Sequence, residues 1–229
     1  MSPTEAFPKA WPWIGATIGL AGLLLWFLPE HKVLGIFILL ATGVVVWFIC
    51  WLNRPEFTLL SVEKVLDISD AAGKSAKLLR CMTARANHKG ITEFWCRNIS
   101  ADGAIANIRI DNVEPAFIKT EAGDKQVCKR FDRPLKRGQK FDMVLSYELA
   151  DSFPGTTEGL IHVVECQTKR LRLVVTLPDA RNAKAARMSL RYGGQIHKDL
   201  PAPTITGRRI EFETKWTKLG AEYSLEWDW

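Results

Sequence analysis

Hydrophobic and polar positions divide this chain near residue 55. Before that point lie two long uncharged runs, Trp11 to Leu28 (18 residues) and Val33 to Leu52 (20 residues). They meet at the polar turn Pro29-Glu30-His31-Lys32. At the helical rise per residue these runs reach about 27 and 30 Å, the thickness of a bilayer core. Buried core helices are the alternative, but charge-free runs of this length are the usual mark of membrane spans. The pattern predicts a transmembrane helical hairpin over residues 1–55, with spans at about 11–28 and 33–52. An export signal would need a basic start and a small-residue cleavage site, and neither is present.

After Arg54-Pro55 the period shortens to two. Ile91 to Ile99, Ala104 to Ile110, Leu160 to Cys166, Leu171 to Leu177, Ala186 to Tyr192 and Arg209 to Thr214 read as strands. Phe141, Met143, Leu145, Tyr147 and Leu149 share one face of another. Tyr223, Leu225, Trp227 and Trp229 share the face of the last, as core positions. Phe57 to Ile68 fits a strand or a short helix. Turn signals at Asp102-Gly103, Arg137-Gly138, Pro154-Gly155, Gly193-Gly194 and Leu219-Gly220 separate these runs. The predicted fold is an N-terminal two-helix transmembrane hairpin followed by an all-β antiparallel sandwich or barrel over residues 56–229.

Charge and aromatics orient the hairpin. Lys9, Arg54 and Lys64 flank its ends, whereas Glu30 offsets Lys32 in the turn. The positive-inside rule then predicts a multi-pass protein of the bacterial inner membrane with both termini cytoplasmic. Trp11, Trp13, Trp47 and Trp51 fall at one interface. Gly15, Gly19 and Gly22 form a small-residue face that packs helices closely, either within the hairpin or between copies.

The search for chemistry yields little. Cys81, Cys96, Cys128 and Cys166 lack metal-binding spacing and read as buried reduced thiols. His162 reads as an ordinary strand histidine with its hydrogen bonds satisfied. No catalytic motif, cofactor fingerprint or metal site is recognisable, and no enzyme activity is expected.

Charge adds one feature. The segment Lys125 to Lys140, KQVCKRFDRPLKRGQK, has seven basic residues and one acid. Arg170 and Arg172 form a second group. A solvated face that attracts anionic lipid, a nucleic-acid surface and a phosphate pocket all fit such a run. No duplex nucleic acid partner is expected, because the net charge beyond residue 55 is modest and no nucleic-acid motif appears. Arg130, Arg133, Lys136, Arg137, Arg170 and Arg172 are the candidate phosphate contacts.

Two spans, a four-residue turn and a β-rich domain with arginine-rich segments resemble the two-transmembrane, β-strand-rich effectors of bacterial anti-phage signalling, the CBASS type. The resemblance implies a β domain that binds a cyclic oligonucleotide, oligomerises and disrupts the inner membrane through its helices. Two functions are therefore expected: a membrane effector that senses a phosphorylated signal and assembles through Gly15, Gly19 and Gly22, or a passive membrane-anchored adaptor whose β domain binds another protein.

Overall fold

The computed structural model describes residues 36–37, 40–45, 55–121, 123–197 and 200–229. By contacts the chain divides into Met1–Arg54 and Pro55–Trp229.

Among the described residues fourteen strands build the second unit: β1 (Phe57–Ile68), β2 (Ser75–Ala86), β3 (Ile91–Ile99), β4 (Ala104–Ile110), β5 (Phe117–Glu121), β6 (Asp124–Leu135), β7 (Lys140–Ala150), β8 (Thr157–Val163), β9 (Arg170–Thr176), β10 (Ala185–Tyr192), β11 (Gln195–His197), β12 (Thr204–Thr206), β13 (Arg209–Lys215) and β14 (Glu222–Asp228). They form three sheets. The largest has the order β12-β13-β9-β1-β2-β7-β4, the second β11-β10-β14-β8 and the third β3-β6-β5.

Period-two alternation explains the layering. In β1, Val62, Leu66 and Ile68 are buried; in β9, Leu171, Leu173 and Val175; in β14, Tyr223, Leu225 and Trp227. Each set points inward from its own sheet. The large sheet packs its inner face on both smaller ones. Phe212 meets Tyr223 of the four-stranded sheet, with ring centroids 6.5 Å apart. On the three-stranded side, Phe94 packs edge-on against Phe57 at 4.9 Å and against Phe141 at 5.5 Å. Edge-to-face contacts of this kind add to the burial of the rings.

The helical hairpin expected at the N-terminus is corrected. Among the described residues helix occurs only at 36–37 and 40–45, and no helix is long and apolar enough to cross a membrane. A six-residue helix rises about 9 Å, a third of a bilayer core. The span expected over 11–28 lies outside the described residues, as does most of the one over 33–52. A charge-free run is compatible with a span but does not by itself make one. The transmembrane assignment and the multi-pass inner-membrane location are set aside on this finding. The expected antiparallel sandwich or barrel is corrected too. There are three sheets, and β1 runs parallel to β9, Val62 opposite Leu171.

Candidate functional site

Two inward positions of the large sheet carry cations. Lys64 occupies the apolar phase of β1 and Arg80 that of β2, between buried Leu78 and Met82. The register sets Lys64 directly opposite Arg80. They are 5% and 6% exposed. Like charges directly opposite across a strand pair disfavour each other, and burial raises that cost.

The surroundings satisfy the pair only in part. Lys64 Nζ donates to the Ile161 carbonyl of β8 at 2.7 Å. Arg80 Nη1 donates to the Arg97 carbonyl at 3.3 Å, and its Nε has no partner among the described residues. His162, on β8, faces the same space and is 1% exposed. Neither of its ring nitrogens has a hydrogen-bond partner among the described residues, so the satisfied histidine expected there is not what these residues provide. Burial, then Arg80 and Lys64, holds the imidazole well below its ordinary range. Burial first, then Arg80, lowers Lys64 to about 7, against an opposing pull from Glu165. Glu165 accepts a hydrogen bond from Asn98 Nδ2 at 2.6 Å, and burial raises its pKa.

Lys64 opens onto a cleft of about 740 Å³. The cleft runs beside β8, the edge strand of the four-stranded sheet. Leu78, Tyr147 and Leu149 of the large sheet line it. So do Asp102, Asp124 and Glu158, none of which forms an ion pair with a described residue. Burial raises the Glu158 carboxyl, although the Gly155 N–H donates to it. A second cleft, of about 780 Å³, adjoins the outer face of the same sheet and shares Ile161, Glu222, Ser224 and Glu226 with the first. There Glu226 is paired with Arg187 at 2.7 Å and Glu222 with Arg191 at 3.3 Å. Ile161 is the β8 residue that the two hollows share, and the cleft along the β8 edge has unpaired carboxylates.

The candidate phosphate contacts lie elsewhere. Arg170, on β9, makes two 2.8 Å bonds to Glu213. Arg172 bridges Glu63 and Glu211 at 2.9 Å each, tying β9 to both neighbouring strands. Arg130 is paired with Glu93 at 3.0 Å and stacks over Phe117 at 4.8 Å. Arg133 lies near the end of β6, and Lys136 and Arg137 occupy the β6–β7 turn, which the Gly138 N–H fixes to the Ala86 carbonyl at 2.8 Å. These three are exposed and have no carboxylate partner among the described residues. The fold thus separates the six into a paired group and an unpaired one. Gly15, Gly19 and Gly22 lie outside the described residues.

The cysteines of the β unit are free thiols; Cys96 and Cys128 are buried and Cys81 and Cys166 partly so. Burial pushes Cys96 up to about 12. Among the described residues no group of three or more His, Cys, Asp or Glu is placed to hold a metal ion.

No protein-family model and no curated protein sequence matches the chain. Among solved structures it is similar to an M1 zinc metallopeptidase of Deinococcus radiodurans, at 8% identity and a TM-score of 0.40, over 76% of this chain and 42% of that one. A Legionella pneumophila protein given a nutrient-binding assignment is similar at 10% identity and a TM-score of 0.47, over 76% and 68%. Yeast LTA4 hydrolase is similar at 11% identity and a TM-score of 0.43, over 75% and 29%. The chain spans about two fifths of the metallopeptidase. Likenesses at this level transfer neither an activity nor a ligand.

Proposed function

We propose that the β unit is a docking module that binds a partner protein by holding one of its segments in the cleft beside β8. The reading rests on one observation: an open cleft with an apolar floor at Leu78, Tyr147 and Leu149, and unpaired carboxylates on its walls at Asp102, Asp124 and Glu158. Apolar floors provide affinity through burial, while rim charges select partners and speed encounter. The partner segment this cleft selects is basic. The test is a library of short peptides of graded charge, read by fluorescence anisotropy at two salt concentrations. Basic peptides should bind best, less tightly at high salt, and their preference should vanish in the Asp102→Lys/Asp124→Lys variant. A library that binds without regard to charge, or equally to the variant, would overturn the reading.

A second reading has its own observation. Arg133, Lys136 and Arg137 are exposed and unpaired, and Arg85 stands opposite Lys140 next to their turn. Such a group suits a phosphorylated ligand, the cyclic oligonucleotide of the anti-phage resemblance included. Titration with cyclic di- and trinucleotides should then give binding that Arg137→Ala weakens and Arg170→Ala leaves alone. Equal loss in both variants would rule this reading out.

A further inference from the structure

β8 has one paired side and one open side. In an antiparallel ladder, successive residues direct their N–H and C=O alternately to one side and the other. Val164 donates to the Ala221 carbonyl at 2.8 Å, next to the β14 partner, so the even-numbered residues of β8 bond toward β14. Ile161 confirms the phase from the other side, because its carbonyl points away from β14 to accept Lys64 Nζ. Gly159, Ile161 and Val163 therefore present their main-chain groups to the open edge. All three line the cleft. An open edge is a template for another strand, and here Lys64, reaching across from β1 of the large sheet, occupies one of its carbonyls.

We infer that the cleft takes its partner segment as an added β-strand, a basic peptide paired along the open edge of β8 and released from competition by withdrawal of Lys64 from the Ile161 carbonyl. This inference rests on the docking reading above and specifies its occupant and its mode. Strand addition draws affinity from the main chain and specificity from alternate side chains. Both sides of such a strand are provided for here. Residues of one parity would face the inner cleft, where Asp102, Asp124 and Glu158 are unpaired. Residues of the other parity would stand on the outer face of the sheet beside Ile161, which is half exposed. The inner side is complementary to lysine and arginine, and the outer side offers Ile161 to an apolar neighbour. Seven residues of β8 extend roughly 23 Å, enough for a segment of similar length.

Lys64 gives the edge its lock. Its ammonium occupies the acceptor that an incoming N–H needs, and it is held beside Arg80. A neutral amine that has moved from the carbonyl relieves the repulsion from Arg80, so strand addition and loss of the Lys64 proton are coupled. Arg80, His162 and Glu165 face Lys64 from the neighbouring elements, and Arg80 opposes its charge while Glu165 supports it.

The probe is an eight-residue peptide alternating lysine and valine, added to the full chain and read by amide hydrogen exchange. Exchange at Gly159, Ile161 and Val163 should slow about tenfold or more, since new main-chain bonds close those amides. A peptide N-methylated on its β8-facing amides should bind at least tenfold more weakly, because it has lost those donors. Gly159→Pro removes one open-edge N–H without touching the β14 ladder and should weaken binding similarly. Peptide binding that shifts Tyr147 and Leu149 resonances but leaves the three amides unprotected overturns strand addition and leaves the docking reading standing. Protection that appears without peptide, as the protein concentration rises, would make a second copy the occupant and overturn the basic-peptide assignment. Failure of the lysine–valine peptide to bind at millimolar concentration overturns both readings.

Discussion

Burial holds the Lys64 ammonium at about 7, first through lost hydration and then through Arg80. The sign of the resulting pH dependence follows directly. Above pH 7 the folded chain has shed a proton that the unfolded chain keeps until about 10.5. The unfolded state then binds more protons, and stability rises with pH across that window by about 1.4 kcal/mol per unit. Cys96, pushed up to about 12 from 9.0, opposes this above pH 9. The clean measurement is therefore the difference between wild type and Lys64→Met in chemical denaturation from pH 7 to 9. That difference should move in favour of wild type as pH rises; a constant difference would show that Lys64 titrates normally. These buried cations were legible only in retrospect. Lys64 interrupts the apolar phase of Val62, Leu66 and Ile68, and Arg80 that of Leu78 and Met82. The signal needs both strands assigned first, and the β2 segment SAKLLRCMTARA holds almost no β-branched or aromatic residues to mark it as a strand.

At the scale of elements, boundaries were readable where alternation was clean. β3 and β4 coincide with the expected Ile91–Ile99 and Ala104–Ile110. β6 was not recognised as a strand, because its charge run KQVCKRFDRPL masks a pair of buried residues, Val127 and Cys128, that break the period. The ion pairing of two of the candidate arginines is hidden in the sequence for a related reason. Glu63, Glu211 and Glu213 neutralise Arg170 and Arg172 only through strand register, and register between β1, β9 and β13 is not written in any local stretch. Turn chemistry is sharper. Gly73, in the β1–β2 turn, has a φ of 70°, and a Cβ there would overlap the Phe153 carbonyl oxygen. Gly73→Ala should cost about 2–4 kcal/mol, through left-handed strain and displacement of the Phe153 segment. Equilibrium denaturation measures it; a change below about 0.5 kcal/mol, within the ordinary range for surface positions, would show that the turn can relax.

The three sheets of the β unit share one buried core, and ring contacts join the three-stranded sheet to the large one. Phe94 is the ring of the three-stranded sheet that touches both Phe57 and Phe141 of the large one. Phe94→Ala should lose about 3–5 kcal/mol, as large buried rings do. Native-state exchange should show β3, β5 and β6 opening before the other strands. Uniform loosening across all three sheets would contradict that division. One further consequence follows from the parallel pairing of β1 with β9. Val62 meets Leu171, which is made roughly 110 residues later. At a synthesis rate of about 5–20 residues per second, one flank of β1 waits for roughly 5–20 s before its neighbour exists. β2 closes the other flank almost at once. Nascent chains of this protein therefore pass through a period in which a central, apolar strand is a temporary border. In that interval ribosome-associated chaperones have their substrate, and truncated products ending before β9 have their route to aggregation.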